Sequence, residues 1–290
     1  MTVTPAVVTA AHRTGAPTTG APTTGAPRTG APRARVAGWT PARSFTIVER
    51  NFMTYKHAWT VVASSIVEPI LYLVSIGIGV GALVGTVPGV NVRYTVFVGP
   101  ALLATAAMNS AMNLTSFGVF SRIKVEHTYD AVLPTPVSVT DIAVGEIVWA
   151  LLNGLVSSAS FLAVLAALGF VVTPWALLAV PGALLIGFAF AAIGLAVTTF
   201  LRDFPDFQLI QLVMLPMFLF ATTFYPVTTY PAAWRPVIEA LPLYQSIELV
   251  REPALDQMTW RMAFAAGYLL VLGAIAMWIA TRRMARALLH

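Results

Sequence analysis

Residues 207–234 read FQLIQLVMLPMFLFATTFYPVTTYPAAW, and the meaning of that stretch decides the fold. Its first half is apolar apart from Gln208 and Gln211. Its second half turns abruptly to Tyr225, Pro226, Tyr230, Pro231 and Trp234, interspersed with threonines. A soluble core gives no reason to finish a long apolar helix this way. A bilayer does: tyrosine and tryptophan settle at headgroup depth, and proline stops the helix there. The stretch therefore reads as the end of a membrane span and the start of an outer aromatic belt.

The rest of the chain agrees. Of its 290 residues, 58% are hydrophobic and 10% charged, with mean hydropathy +0.79. A soluble domain carries about 25% charged residues, so an all-α integral membrane protein is indicated. The chain has no cysteine, which excludes a disulfide framework and a thiolate metal site. The net charge of +5 does not point to nucleic acid, because the basic residues are not gathered on one folded surface.

Six stretches approach or exceed the roughly 20 apolar residues of a bilayer crossing. They are about 61–84, 96–119, 142–168, 174–201, 207–226 and 262–281. Thirteen of the seventeen Lys and Arg residues fall in the N-terminal tail, 120–141, 202–206 and the C-terminus. The other side holds Arg93, Arg235, Arg251 and Arg261. This bias puts both termini in the cytoplasm of a multi-pass protein of the plasma (inner) membrane.

Residues 39–290 make one membrane domain. Residues 1–38, where TGAP recurs from Thr14, Thr19, Thr24 and Thr29, are expected to be a disordered cytoplasmic tail. No apolar region of signal-peptide type follows a basic start, so cleavage is not expected. Residues 40–57, TPARSFTIVERNFMTYKH, put Phe45, Val48, Phe52 and Tyr55 on one helical face. Arg43, Glu49, Arg50 and Lys56 populate the other side, as in a helix lying in the headgroup plane. Residues 227–260 carry Pro231, Pro236, Pro242 and Pro253 among apolar patches too short to cross. They read as short re-entrant helices in the outer leaflet, packed against protein.

Intrinsic catalysis finds no support. A phosphate-binding loop ends in Gly-Lys-Ser/Thr, whereas Lys56 follows Tyr and Lys124 follows Ile. The histidines at 12, 57, 127 and 290 form no HExxH, and no GxSxG occurs. GIGVGALVG (77–85) misses the dinucleotide-binding spacing and fits close helix packing in lipid. No bound metal or cofactor is expected.

Four polar features remain. SRIKVEHTYDAVLPTPVSVTD (121–141) offers Arg122, Lys124, Glu126, His127 and Asp130 before Pro134 and Pro136. It suits docking of a soluble partner, or a plain solvated connector. Glu68 lies within the first span, where a carboxylate costs about 2.5–3.5 kcal/mol on insertion scales. It faces a substrate path or partner helix, or snorkels to the inner interface, and it is the one acidic candidate near the midplane. Asn109 and Asn113, four apart, share a helix face and serve either helix–helix hydrogen bonding or the substrate path. Asp203 and Asp206 in RDFPDF (202–207) are expected to cap the fifth span.

Two segments carry a resemblance to a known family. FATTFYPVTTYPAAWRPVIEALPLYQSIELVR (220–251) and EPILYLVSIGIGVG (68–81) resemble the membrane subunit of type-2 ATP-binding-cassette (ABC) exporters, the group that includes nodulation-factor and daunorubicin export permeases. The resemblance covers about residues 40–285, and the TGAP tail departs from it. It implies a permease paired with a second copy or close paralogue, surrounded by membrane lipids and served by two ABC ATP-binding subunits. ATP and magnesium would sit on those subunits, which also carry hydrolysis. The resemblance makes 40–57 the connecting helix and places 121–137 at the coupling helix, with Arg122, Lys124, Glu126, His127 and Asp130 as docking residues. It makes Tyr225, Pro226, Tyr230, Pro231 and Trp234 the entry to an outer gate. The implied activity is export of a lipid-linked glycan, glycolipid or hydrophobic drug. The rival is a stand-alone channel or secondary transporter, which wants repeated halves or several midplane charges.

Overall fold

A computed structural model describes residues 41–55, 67, 70–125 and 138–289. Lys56, Glu68, Glu126, His127, Asp130 and the TGAP tail lie outside the described residues. Regular structure among the described residues is helical, apart from one antiparallel bridge between Thr86 and Arg93.

Helix α1 spans Pro41–Tyr55. A π-helical turn, Leu73–Ile78, leads into α2, Gly79–Val84. Then come α3 (Tyr94–Lys124), α4 (Val139–Ala167) and α5 (Ala179–Thr198), the last extending a 3₁₀ turn, Pro174–Leu178. The series continues with α6 (Phe207–Phe220), α7 (Arg235–Glu239), α8 (Pro242–Ala254) and α9 (Trp260–Leu289).

Among the described residues four helices are long and apolar enough to cross a bilayer: Tyr94–Lys124, Val139–Ala167, Pro174–Thr198 and Trp260–Arg286. They coincide with the second, third, fourth and sixth expected spans. The expected first span is described as a helix only over Ile70–Val84, and the fifth is an apolar helix of Phe204–Phe220, shorter than a crossing. The expected fifth span ran to residue 226, but the helix stops at Phe220. Ala221 closes it by donating to the Met217 carbonyl, and Thr222 then turns left-handed at φ +63°.

Local chemistry explains the helix starts. Ser138 Oγ accepts the Asp141 N–H at 3.1 Å while the Asp141 carboxylate accepts the Ser138 N–H at 3.0 Å, a reciprocal cap that opens α4. At the turn before α6, the Asp206 carboxylate accepts the N–H groups of Arg202 (2.7 Å) and Asp203 (3.3 Å). Those two donors hold the Asp206 carboxyl below the usual carboxylate range. The capping expected of Asp203 and Asp206 is therefore found, on a short 3₁₀ turn at the head of α6.

The core gathers around α3, whose Ala101, Leu103, Ala104, Met108 and Val119 are fully enclosed. Helices α4, α5 and α8 cover it, and α9 packs on α5. Lipid supplies no hydrophobic drive between helices, so close backbone approach through small residues carries the packing. A Cβ at Gly194 would run into Thr115 Oγ1 and stand 3.3 Å from the Met112 carbonyl. One at Gly273 would meet the Phe188 ring at 2.6 Å. Thr198 Oγ1 adds a polar tie, 3.1 Å from the Thr115 carbonyl of α3. The glycine run expected to pack closely does so at only two places. Gly77 and Gly81 approach the Thr95 methyl, whereas Gly79 faces open space and Gly85 serves the turn at φ +68°.

Candidate functional site

Helix α1 divides the apolar face read from its sequence. Ser44, Ile47, Val48 and Asn51 are buried against α4, while Phe45 and Phe52 point outward, Phe52 meeting Trp149 edge-on at 6.5 Å. The approach is tight because Gly145 of α4 lies under Ile47. A Cβ there would stand 2.6 Å from the Ile47 Cβ and 3.0 Å from the Ser44 carbonyl.

At the next position of α4, Glu146 is buried at 2% exposure and gathers side chains from two other elements. Arg50 Nη2 of α1 donates to Oε1 at 3.0 Å. Asn51 Nδ2, also of α1, donates to Oε2 at 3.0 Å. Arg122 Nη1, from the last turn of α3, pairs with Oε2 as well. A buried carboxylate is tolerated only when paired and hydrogen-bonded. Here one carboxylate locks α1, α3 and α4 together at the end of the bundle from which the 126–137 connection departs.

This node changes the standing of several expected residues. Arg122, expected to face a soluble partner, is buried and occupied by Glu146. Lys124 is exposed at the end of α3, Glu49 is exposed on α1 and Arg43 is half-buried. Glu146 and Asn51 were missed. The signal was present: Glu146 stands inside the third apolar span, as conspicuous there as Glu68 is in the first.

Asn109 is half-buried and Asn113 exposed on the same face of α3. Neither amide bonds a neighbouring helix among the described residues, unlike Thr105 and Thr115, which fold back onto the Ala101 and Ala111 carbonyls. Further down that face Phe117 meets Phe204 and Phe207 at 6.2 and 5.5 Å, joining α3 to the turn before α6.

At the other end, the segment after α6 is knitted into a cap. The hydroxyls of Tyr225 and Tyr230 lie 2.7 Å apart. Tyr225 donates to the Leu219 carbonyl at 3.1 Å, and Tyr230 Oη stands 3.3 Å from the Phe220 carbonyl. The pair thus satisfies carbonyls left free by the end of α6. Burial, reinforced by Tyr225, raises the Tyr230 phenol above the usual tyrosine range. Pro226 starts the 3₁₀ turn Val227–Thr229, and Pro231 starts the turn that ends at Trp234, which is 62% exposed. Arg235 clamps this loop by donating to the Tyr230 and Thr228 carbonyls. Tyr268 of α9 holds the cap from below, donating to the Ala240 carbonyl at 2.9 Å.

Residues 43–255 match the family model of the ABC-2 type transporter. The chain therefore belongs to the ABC-2 type transporter family, the membrane permeases that work with an ABC ATP-binding partner. Three relatives share one name. Nodulation protein J of Sinorhizobium fredii (strain NBRC 101917 / NGR234) is 31% identical over 86% of this chain and 95% of its own length. Nodulation protein J of Rhizobium leguminosarum bv. trifolii is 32% identical over 83% of this chain and 92% of its own. That of Bradyrhizobium diazoefficiens is 28% identical over 86% and 97%.

Proposed function

We propose that the chain is the transmembrane subunit of an ATP-driven exporter, non-catalytic itself. It crosses the inner membrane six times with both termini in the cytoplasm. It pairs with a second copy or close paralogue and is served by two ATP-binding subunits, which hold ATP and magnesium. Residues 227–254 form the outer re-entrant cap, with Tyr225, Pro226, Tyr230, Pro231 and Trp234 at its entry.

The observation that carries this reading is the Glu146 node. The 126–137 connection, with Glu126, His127 and Asp130, is where a soluble motor docks. A push there moves the ends of α3 and α4. Because Arg122, Arg50 and Asn51 share one carboxylate, α1 moves with them. Arg122 and Lys124 thus act on the two sides of one lever: Lys124 on the exposed side, Arg122 through Glu146.

The cargo is a lipid-linked glycan, glycolipid or hydrophobic drug taken from the inner leaflet. The Asn109–Asn113 face supports a path on that side of α3. Amides without protein partners are costly against acyl chains, so a second permease or a polar cargo group is their complement. Glu68 is a further polar group for the same path.

The test is reconstitution with the ABC ATPase in nanodiscs. Glu146→Gln keeps the complex assembled but removes the change in ATP hydrolysis that the permease imposes. Solute flux by the chain alone, with no ATPase present, would instead establish a stand-alone channel.

A further inference from the structure

Arg251 on α8 is buried at 4% exposure. Its Nη2 donates to the Thr222 carbonyl at 2.8 Å, just past the end of α6. Its Nη1 pairs with Glu248 Oε1 at 3.2 Å, one turn back on α8. The guanidinium carbon stands 3.9 Å from the centre of the Phe97 ring, in the first turn of α3. One cation therefore fastens α8 to two other elements, while its carboxylate partner among the described residues, Glu248, travels on α8 itself.

Two observations set this junction apart from ordinary packing. Thr222 is β-branched yet held at φ +63°, a sparsely populated and strained conformation for such a residue. Arg251 Nε and Thr222 Oγ1 are both buried with no hydrogen-bond partner among the described residues. A contact serving stability alone is generally as well or better made by apolar side chains. Strain and unmet polar groups instead fit a state that has to be left again during a cycle.

We propose that Arg251 is the latch of the outer gate, a positioning residue that holds α8 down on α3 in the closed state. The gate opens when α8 lifts. Arg251 then exchanges the Thr222 carbonyl and the Phe97 face for water, and the Glu248 pair moves with it intact. This rests on the reading of residues 227–254 as the outer cap of an exporter.

The cysteine-free chain makes the test direct. Val250, fully enclosed on α8, is replaced by Cys as the single reporter. Labelling by a membrane-impermeant maleimide is timed in whole cells and in inverted vesicles, using the full chain with its ATPase. With Arg251 present the reporter reacts slowly from outside. Arg251→Ala accelerates outside labelling by about tenfold or more, because protection follows the free energy of local opening. Arg251→Lys, which keeps the charge but loses the planar fork, falls between. If Arg251→Ala does not reach the membrane, Phe97→Leu leaves every polar partner in place and is expected to accelerate labelling in the same direction. Unchanged labelling on both sides in these variants overturns the latch and leaves the exporter reading standing. Equal acceleration at a control Ala192→Cys, deep in α5, reveals general loosening and also overturns it. Labelling confined to inverted vesicles overturns the outer placement and, with it, both readings.

Discussion

Glu146 of α4 accepts Arg50 of α1 at 3.0 Å across ninety-six residues of sequence, and the same carboxylate pairs with Arg122 of α3. The arrangement turns an interfacial helix and two span ends into one mechanical unit. Breaking a buried pair by removing one partner costs about 3–5 kcal/mol, because the other charge stays behind. Glu146→Ala is therefore expected to lower the thermal unfolding midpoint of the purified chain by many degrees. Replacing the pair together, Glu146→Leu with Arg122→Met, recovers most of that loss. A double variant no more stable than Glu146→Ala would contradict the assignment.

Gly145 is a second hold on α1. With the Ile47 Cβ 2.6 Å from where a Gly145 side chain would begin, Gly145→Ala must push α1 away. Overpacking of this kind costs about 1–3 kcal/mol. Limited trypsin digestion should then cleave sooner after Arg50. Gly79→Ala, in open space, serves as the matched control and should leave both digestion and melting unchanged.

The tyrosine pair predicts an alkaline limb. The Tyr230 phenol is raised, so its contribution to the cap is complete below the unfolded tyrosine value near pH 10 and declines as pH rises beyond it. Tyr230→Phe gives up its hydrogen bonds, about 1 kcal/mol in net terms, and should flatten that limb. Melting curves from pH 7 to 11, recorded for both proteins, provide the comparison. A parallel decline in the two would show that Tyr230 does not set it.

Asn109 and Asn113 predict the opposite pattern, a functional loss without a stability loss. Neither amide bonds another side chain or carbonyl among the described residues, so the Asn109→Leu, Asn113→Leu pair should melt at or above the parent temperature. Pairing of permeases, read by native mass spectrometry, or coupling of ATP hydrolysis should fall. A clear drop in melting temperature with intact coupling would assign the amides to packing alone.

How far the sequence carried the fold can be seen in particular elements. Four apolar stretches became membrane-length helices close to their expected bounds, since twenty apolar residues in lipid have few alternatives to a helix. The Asp203–Asp206 cap and the break after the fifth apolar stretch were legible too, because capping and turn chemistry are local. The early end of α6 was not. It depends on Thr222 turning left-handed where Arg251, twenty-nine residues later, takes its carbonyl.

The same division holds at the site. Residue pattern alone made the chain a helical membrane protein and pointed to the family it joins. These follow from composition, length and short motifs. What the described charges pack against came from the folded chain. Arg122 looked like a docking residue and lies inside, Glu146 looked like part of a span and is the hub, and the α1 face that packs is Ser44, Ile47, Val48 and Asn51. The Arg50–Glu146 ion pair joins residues ninety-six positions apart. Its geometry comes from how closely helices can approach at Gly145, and no pattern of hydrophobicity along one helix records that distance.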